Sequence, residues 1–428
     1  MRARLRAGAR STFSSLRVRN FRLFFAGQLV SQVGNWLTTV ALTLLVLHRT
    51  HSGLAIGVLV ACQFAPLLVL GPWAGLIADR ADKRRLLLVT QALEMAQSGV
   101  LAALAFLHAA PLLAFYGTAL AGGFMLAFDN PARRSFVPEL VSEDQVQNAV
   151  SLNSALMNGS RIVGPALAGL LVITVGYGWG FAGDAASYLA VLLALWMIRP
   201  PELYRSPAAP RGRGQIREGL RYVRATPELF VPLAMLAIIG TLTFNFSVVM
   251  PLLVERTLHG SDASFTLMYS VLSVGALLGA LGAARRRTVD IRMVVVAAAG
   301  FGAAMLVFGS VPGLAAGFVV AAVVGFTSVS FMTLSTAIVQ VRAHPAMRGR
   351  VIALQSMLLL GTTPFGGPLL GVICDAFGAR AGVALGGLAA LVAAGLGFVA
   401  GRRVTTYRMA TSPVVALEEV VGSEVDAA

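Results

Sequence analysis

Six of the eleven residues from Gly75 to Arg85 are charged, in a chain whose charged content is only 12%. On either side lie apolar stretches, roughly 53–78 and 86–107. Each is long enough to cross a bilayer, because about 20 helical residues span about 30 Å of hydrocarbon. A tight charged turn between two bilayer-length segments fixes a membrane surface at this point. It also restricts the fold, since only helices and closed barrels satisfy their backbone groups inside lipid, and a segment of this length is a helix.

The same pattern runs through the chain. Short polar breaks predict twelve spans, at about 21–47, 53–78, 86–107, 111–129, 148–175, 179–198, 229–254, 264–284, 292–310, 313–341, 350–374 and 380–401. The hydrophobic content of 57% and mean hydropathy of +0.78 exclude a water-soluble surface, which needs about 25% charged residues. The net charge of +15 follows from topology. Of the 34 Lys and Arg residues, 30 fall on the side of the two termini, three (Arg49, Arg256, Arg380) on the other, and one, Arg161, inside a span. This asymmetry predicts cytoplasmic termini and removes the reason to invoke nucleic acid. The partners expected are the lipid bilayer and a small molecule, with a single chain as the functional unit. The Arg-rich start leads straight into the first span, so it reads as a retained helix rather than a cleaved signal.

The domain organisation expected is a basic tail at 1–20, six spans over 21–198, a linker at 199–228, six spans over 229–403 and a disordered acidic tail at 404–428. Pro and Gly mark the linker, which carries a short amphipathic helix near 216–224. A shift of 202 residues superposes Leu152 on Leu354, Ser154 on Ser356, Gly164 on Gly366, Gly169 on Gly371 and Gly176 on Gly378, as a duplicated six-span half requires.

Polar residues inside the spans are the candidates for function. Gln28, Gln32, Asn35 and Thr39 share one face of the first span. Asn245 in the seventh and Thr333 and Gln340 in the tenth carry similar stripes. Such stripes either hydrogen-bond between helices or line a hydrated cavity. Asn158 and Arg161 share a face of the fifth span, and a mid-span arginine needs a carboxylate, carbonyls, water or an anionic substrate. Glu94 and Asp184 are read as the carboxylates well inside the spans, and an acid removed from water is suited to exchange protons. Breaks are expected at Gly71-Pro72, Gly164-Pro165, Met250-Pro251, Pro364 and Gly367-Pro368. Cys62 and Cys374 fall within spans, and the five histidines have no ligand spacing. No phosphate-cradling loop is present. A membrane enzyme, an ATP-driven pump and a metal or other cofactor are therefore not expected.

Several stretches together resemble the transmembrane secretion effectors, the enterobactin-exporter-like branch of the major facilitator superfamily. These are the G-x-x-x-D-R-x-x-[KR]-R loop at 75–85, residues 128–141 from Phe128-Asp129-Asn130-Pro131 onward, 148–154, Asn158 to Gly169, and Met347 to Val351. The resemblance implies an all-α membrane fold of twelve helices in two pseudo-symmetric six-helix bundles. It also implies export of a small, often amphiphilic compound, commonly in exchange for protons; uptake is the alternative, since fold does not set direction. Spans 1, 7 and 10 are then expected around the central cavity. By the same resemblance Gly75, Asp79, Arg80, Lys83 and Arg84 form a gate, with Asp79 near the N-terminus of the eleventh span, whose partial positive charge suits an anion. Departures from similar sequences are Asp184 where Asn is common, Asn35 near a position where some relatives carry a carboxylate, and no membrane-embedded arginine in the fourth span.

Overall fold

The computed structural model of the chain describes residues 13–107, 110–204, 215–286 and 289–410. The side chains of Asp79 and of a few other helical residues fall outside the described set, as do most of the basic tail, the middle of the linker and the acidic tail beyond 410.

The described residues form fifteen α-helices: α1 (Arg19–Thr50), α2 (Gly53–Arg80), α3 (Lys83–Phe106), α4 (Leu112–Glu139), α5 (Val146–Val175), α6 (Tyr177–Met197), α7 (Gln215–Ala225), α8 (Pro227–Leu242), α9 (Phe246–Leu252), α10 (Asp262–Ala284), α11 (Ile291–Ser310), α12 (Leu314–Arg342), α13 (Pro345–Leu360), α14 (Thr363–Phe377) and α15 (Ala379–Ala410). They supply twelve spans long and apolar enough to cross a membrane. The short α7 is the amphipathic linker helix. Its Val223 is buried against Leu229, Val339 and Val351, while Arg217, Arg221 and Arg224 face outward.

Two spans are broken, one beside an expected proline and one away from any. The seventh is interrupted at Thr243–Asn245, where Asn245 Nδ2 folds back to the Thr241 carbonyl (2.8 Å) and Thr243 Oγ1 donates to the Gly386 carbonyl (2.9 Å). Side chains here compete with the helix for backbone partners. After Pro251 the chain stays helical and widens into a π-turn at Leu253–Thr257. The eleventh span breaks between α13 and α14 at Gly361 and Thr362, just ahead of Pro364. At Pro72 and Pro165 the helices continue, since proline removes only one backbone bond and buried neighbours hold the rest.

The fourth span differs most from expectation. It runs to Glu139, about ten residues beyond its apolar stretch. The charged motif stays helical because its polar groups are paired inside the first bundle. Arg133, which the apolar stretch excluded from the span, is therefore a buried arginine of α4.

The first bundle is α1–α6, with α1 on α5 and α6, α2 on α4, and α3 on α6; in the second, α10 packs on α12, and α11 and α8 on α15. Gly176 and Gly378 close α5 and α14 with the same φ of +87°, which disfavours side chains. Their 202-residue separation makes them counterparts in the two halves. The bundles meet along two seams, α2 on α14 and α5 on α10. The first seam is a backbone-to-backbone approach: a Cβ on Gly57 would stand 2.5 Å from the Gly367 carbonyl oxygen.

Candidate functional site

We call the surface bearing the Lys83 loop and α7 the basic face, and the end near His51 and Gly378 the opposite face. At the opposite face the α1–α2 turn meets the C-terminal end of α14. Asp375 accepts from Gly53 N (2.7 Å), Leu54 N (2.9 Å) and Ser52 Oγ (2.8 Å), and Arg256 Nη1 donates to it at 2.9 Å. Its carboxylate thus sits on the free N–H groups that begin α2, where a helix favours an anion. Arg256 also donates to the carbonyl of His51, a residue with φ of 45° that caps α1. Flanking this seat, His48 Nε2 lies 3.3 Å from Asp262 and His51 Nδ1 3.9 Å from Glu255. Tyr177 meets the other ring nitrogen of His48.

At the basic face the contacts stay within each half. Lys83 pairs with Glu139, and Arg84 donates to the carbonyls of Leu195 (2.7 Å) and Trp196 (3.0 Å). In the second half Arg342 pairs with Glu228 and Arg350 with Glu218. Arg80 is exposed and Gly75 half-buried with open space around it. Of the gate cations named from sequence, Lys83 and Arg84 thus hold partners in their own bundle, and the side chain of Asp79 lies outside the described residues. Between the halves here, a cavity of about 380 Å³ opens among α2, α4 and α13, lined by Leu67, Gly71, Asn130, Arg134, Arg350 and Met357 among others. None of these was read from the sequence as lining a cavity. The tightly packed charged motif hid the fact that one side of α4 faces the partner bundle.

The polar stripes divide. Asn35 and Asn158 are exposed, Gln32 and Thr333 half-buried and Gln340 exposed, whereas Gln28 and Asn245 are buried. Neither amide atom of Gln28, nor Asn245 Oδ1, has a hydrogen-bond partner. Arg161 lies mid-way along α5 and is exposed. Above it Trp36 presses on Gly164 and packs against Tyr269 with ring centroids 5.5 Å apart.

The carboxylates Glu94 and Asp184 are both buried in the first bundle, but they are not the only ones. Asp129 joins them, paired with Arg133 and accepting from Gln91 Nε2 (2.8 Å) and Thr90 Oγ1 (3.2 Å). The same Gln91 amide donates to Glu94 Oε2 at 2.8 Å. Asp184 accepts from Thr38 Oγ1 (2.6 Å) and Ser98 Oγ (2.7 Å). Tyr188 stands between Glu94 and the exposed Asn35. One guanidinium therefore stands by two acids, paired with Asp129 and facing Glu94. The sequence reading ended the fourth span at Asp129 and put Arg133 in the loop, so neither their pairing nor its convergence with Glu94 was read there. Among the described residues no group of three His, Cys, Asp or Glu side chains is placed to hold a metal.

Twelve spans in two related halves, meeting tightly at one face and with a cavity between them at the other, define a membrane transporter of the major facilitator type. The chain belongs to the family described as "Transmembrane secretion effector", whose model matches residues 10–423. It is 25% identical to the staphyloferrin A transporter of Staphylococcus aureus, over 83% of this chain and 90% of that protein. It is 30% identical to the multidrug efflux pump Tap of Mycolicibacterium fortuitum over 84% and 90%, and 27% identical to the enterobactin exporter EntS of Citrobacter koseri over 82% and 84%. In fold it is similar to a bacterial homologue of the lysosomal transporter Spinster, inward-facing and unoccupied (TM-score 0.70, 14% identity, covering 90% of this chain and 96% of that one). It is also similar to a POT family transporter in complex with a thioalcohol-conjugated peptide (TM-score 0.75, 12% identity, covering 90% and 97%). The relatives are efflux transporters of siderophores and drugs, so the chain is a multi-pass membrane transporter and not an enzyme.

Proposed function

We propose that the chain exports a small amphiphilic compound across the cytoplasmic membrane by alternating access, as a monomer, in exchange for protons. The basic face is then cytoplasmic, with both termini on that side. The observation carrying the reading is the distribution of contacts between the halves. Among the described residues, the polar contacts joining the two halves lie at the opposite face, and the cavity lies toward the basic face. That is the arrangement of a carrier open to the cytoplasm. Rocking about the α2–α14 and α5–α10 seams exposes the same cleft on the other side.

Proton coupling is assigned to the acid cluster. Asp129 and Arg133 neutralise one another, which leaves Glu94 buried with an amide and a tyrosine but no cation of its own. Asp184 is held by hydroxyls alone. A buried carboxyl without a cation is stable when protonated and costly when charged, so each takes up a proton on one side of the cycle. Tyr188 and Asn35 connect Glu94 to the cleft.

Efflux from substrate-loaded proteoliposomes under an imposed pH gradient tests both parts. Glu94→Gln and Asp184→Asn are each expected to abolish gradient-driven efflux while leaving substrate binding intact. Unimpaired gradient-driven efflux in both variants ends the assignment, and accumulation in place of efflux reverses the direction.

A further inference from the structure

We infer that the transported compound is an anionic amphiphile whose acidic group is received by Arg161 at the closed end of the cleft. This deepens the reading above, and rests on it only for the word "transported". Arg161 is residue 16 of the 30 in α5, about 22 Å from either end at 1.5 Å per residue, so it stands near the middle of the membrane. There a guanidinium is costly unless paired or hydrated. Yet it is exposed, and no carboxylate pairs with it among the described residues. The mid-membrane acids are committed elsewhere: Asp129 to Arg133, Glu94 to Gln91, and Asp184 to Thr38 and Ser98.

Its position between the bundles follows from its neighbours. Two turns further along α5, on the same side of the helix, Gly169 rests against Thr266 of α10. Arg161 therefore points to the seam just where the α5–α10 contact gives way to the cleft. It lies within electrostatic range of the Tyr269 hydroxyl. Trp36 and Tyr269 close the space above it, which gives a charged floor against an aromatic wall. Asn158, one turn nearer the basic face, is exposed beside it.

The basic-face cavity has the same sign. It carries Arg134 and Arg350 amid apolar side chains, and among the described residues no acidic side chain lines it. Arg350 is paired with Glu218, which leaves Arg134 as the cavity cation without a carboxylate partner among the described residues. A guanidinium binds carboxylates, catecholates and similar oxyanions through paired N–H donors, and the apolar walls take the remainder of the molecule. A cationic amphiphile would meet like charge at Arg134 and again at Arg161.

The test is binding to the purified full chain in lipid nanodiscs of two probes with one fluorophore and opposite charge, dansylglycine and dansylcadaverine. The anionic probe is expected to bind at least about tenfold more tightly, the worth of one charge-assisted contact. Arg161→Gln should remove that preference, Arg161→Lys should keep most of it, and Arg292→Gln, which deletes a charge outside the cleft, should leave it unchanged. Should Arg161→Gln fail to fold, the native protein supplies a second measurement: dansylglycine should protect Arg161 from phenylglyoxal, read by peptide mass spectrometry. Equal or reversed preference, preference retained in Arg161→Gln, or no protection overturns the inference. Charge preference without export strikes the transport reading alone, and export without charge preference strikes this one alone.

Discussion

The two faces of the molecule join its halves to different degrees. Span 2 runs from the opposite face to the basic face, and span 11 runs back. Each ends in an aspartate, Asp375 at the end of α14 and Asp79 at the end of α2. Asp375 is seated on the N-terminus of α2, reinforced by Arg256. The corresponding seat for Asp79 would be the start of α13. The cations beside it, Lys83 and Arg84, are instead occupied inside their own bundle, and a cavity opens between α2, α4 and α13. The difference teaches that latch strength here resides in a carboxylate on a helix terminus. The basic residues around it tune the contact but do not create it.

The largest expected effect comes from the seam itself. Gly57→Leu places side-chain atoms where Gly367 already approaches to contact distance. It should force the opposite face apart and reduce transport by more than tenfold, with thiol labelling of a cysteine placed at Ser52 rising in parallel. Retained transport with unchanged labelling would break the comparison at its root. Next in size is Asp375→Asn, which keeps the shape but loses the charge on the α2 terminus. Losing charge-assisted hydrogen bonds costs about 1–3 kcal/mol, so the population open at the opposite face should rise about five- to 150-fold. Arg256→Ala should act in the same direction and more weakly, because the α2 amides still hold Asp375.

The smallest effect is that of the histidines. His48–Asp262 and His51–Glu255 add side-chain contacts between the halves at this face. His51 is 73% exposed at its side chain. Solvent therefore limits its contribution to a few tenths of a kcal/mol. Single His→Gln variants should raise Ser52 labelling by less than twofold.

How far the sequence carried this picture depends on the range of the contacts involved. The twelve spans follow from local hydropathy. The paired turns at Gly176 and Gly378 follow from the repeat, because each is a property of a few neighbouring residues. The linker helix was legible for the same reason. Asp375 was not, because it lies one residue beyond the apolar stretch of its span and its partners stand more than 300 positions away. The length of α4 was missed because hydropathy treats Asp129 and Arg133 as a loop, whereas mutual pairing keeps them buried within a helix. Asn245 was recognised as a polar residue in a span, but its role in breaking that span depends on where its side chain turns.

Double electron–electron resonance on two nitroxide pairs tests the alternation most directly. One pair, at Arg80 and Arg348, reports the basic face; the other, at Leu113 and Pro312, reports the opposite face. With Asp375→Asn in either doubly labelled background, the account predicts that the 80–348 distance shortens while the 113–312 distance lengthens, as closure transfers from one helix terminus to the other. Distances that move in the same direction, or an opposite face that opens while the basic face stays parted, would contradict it.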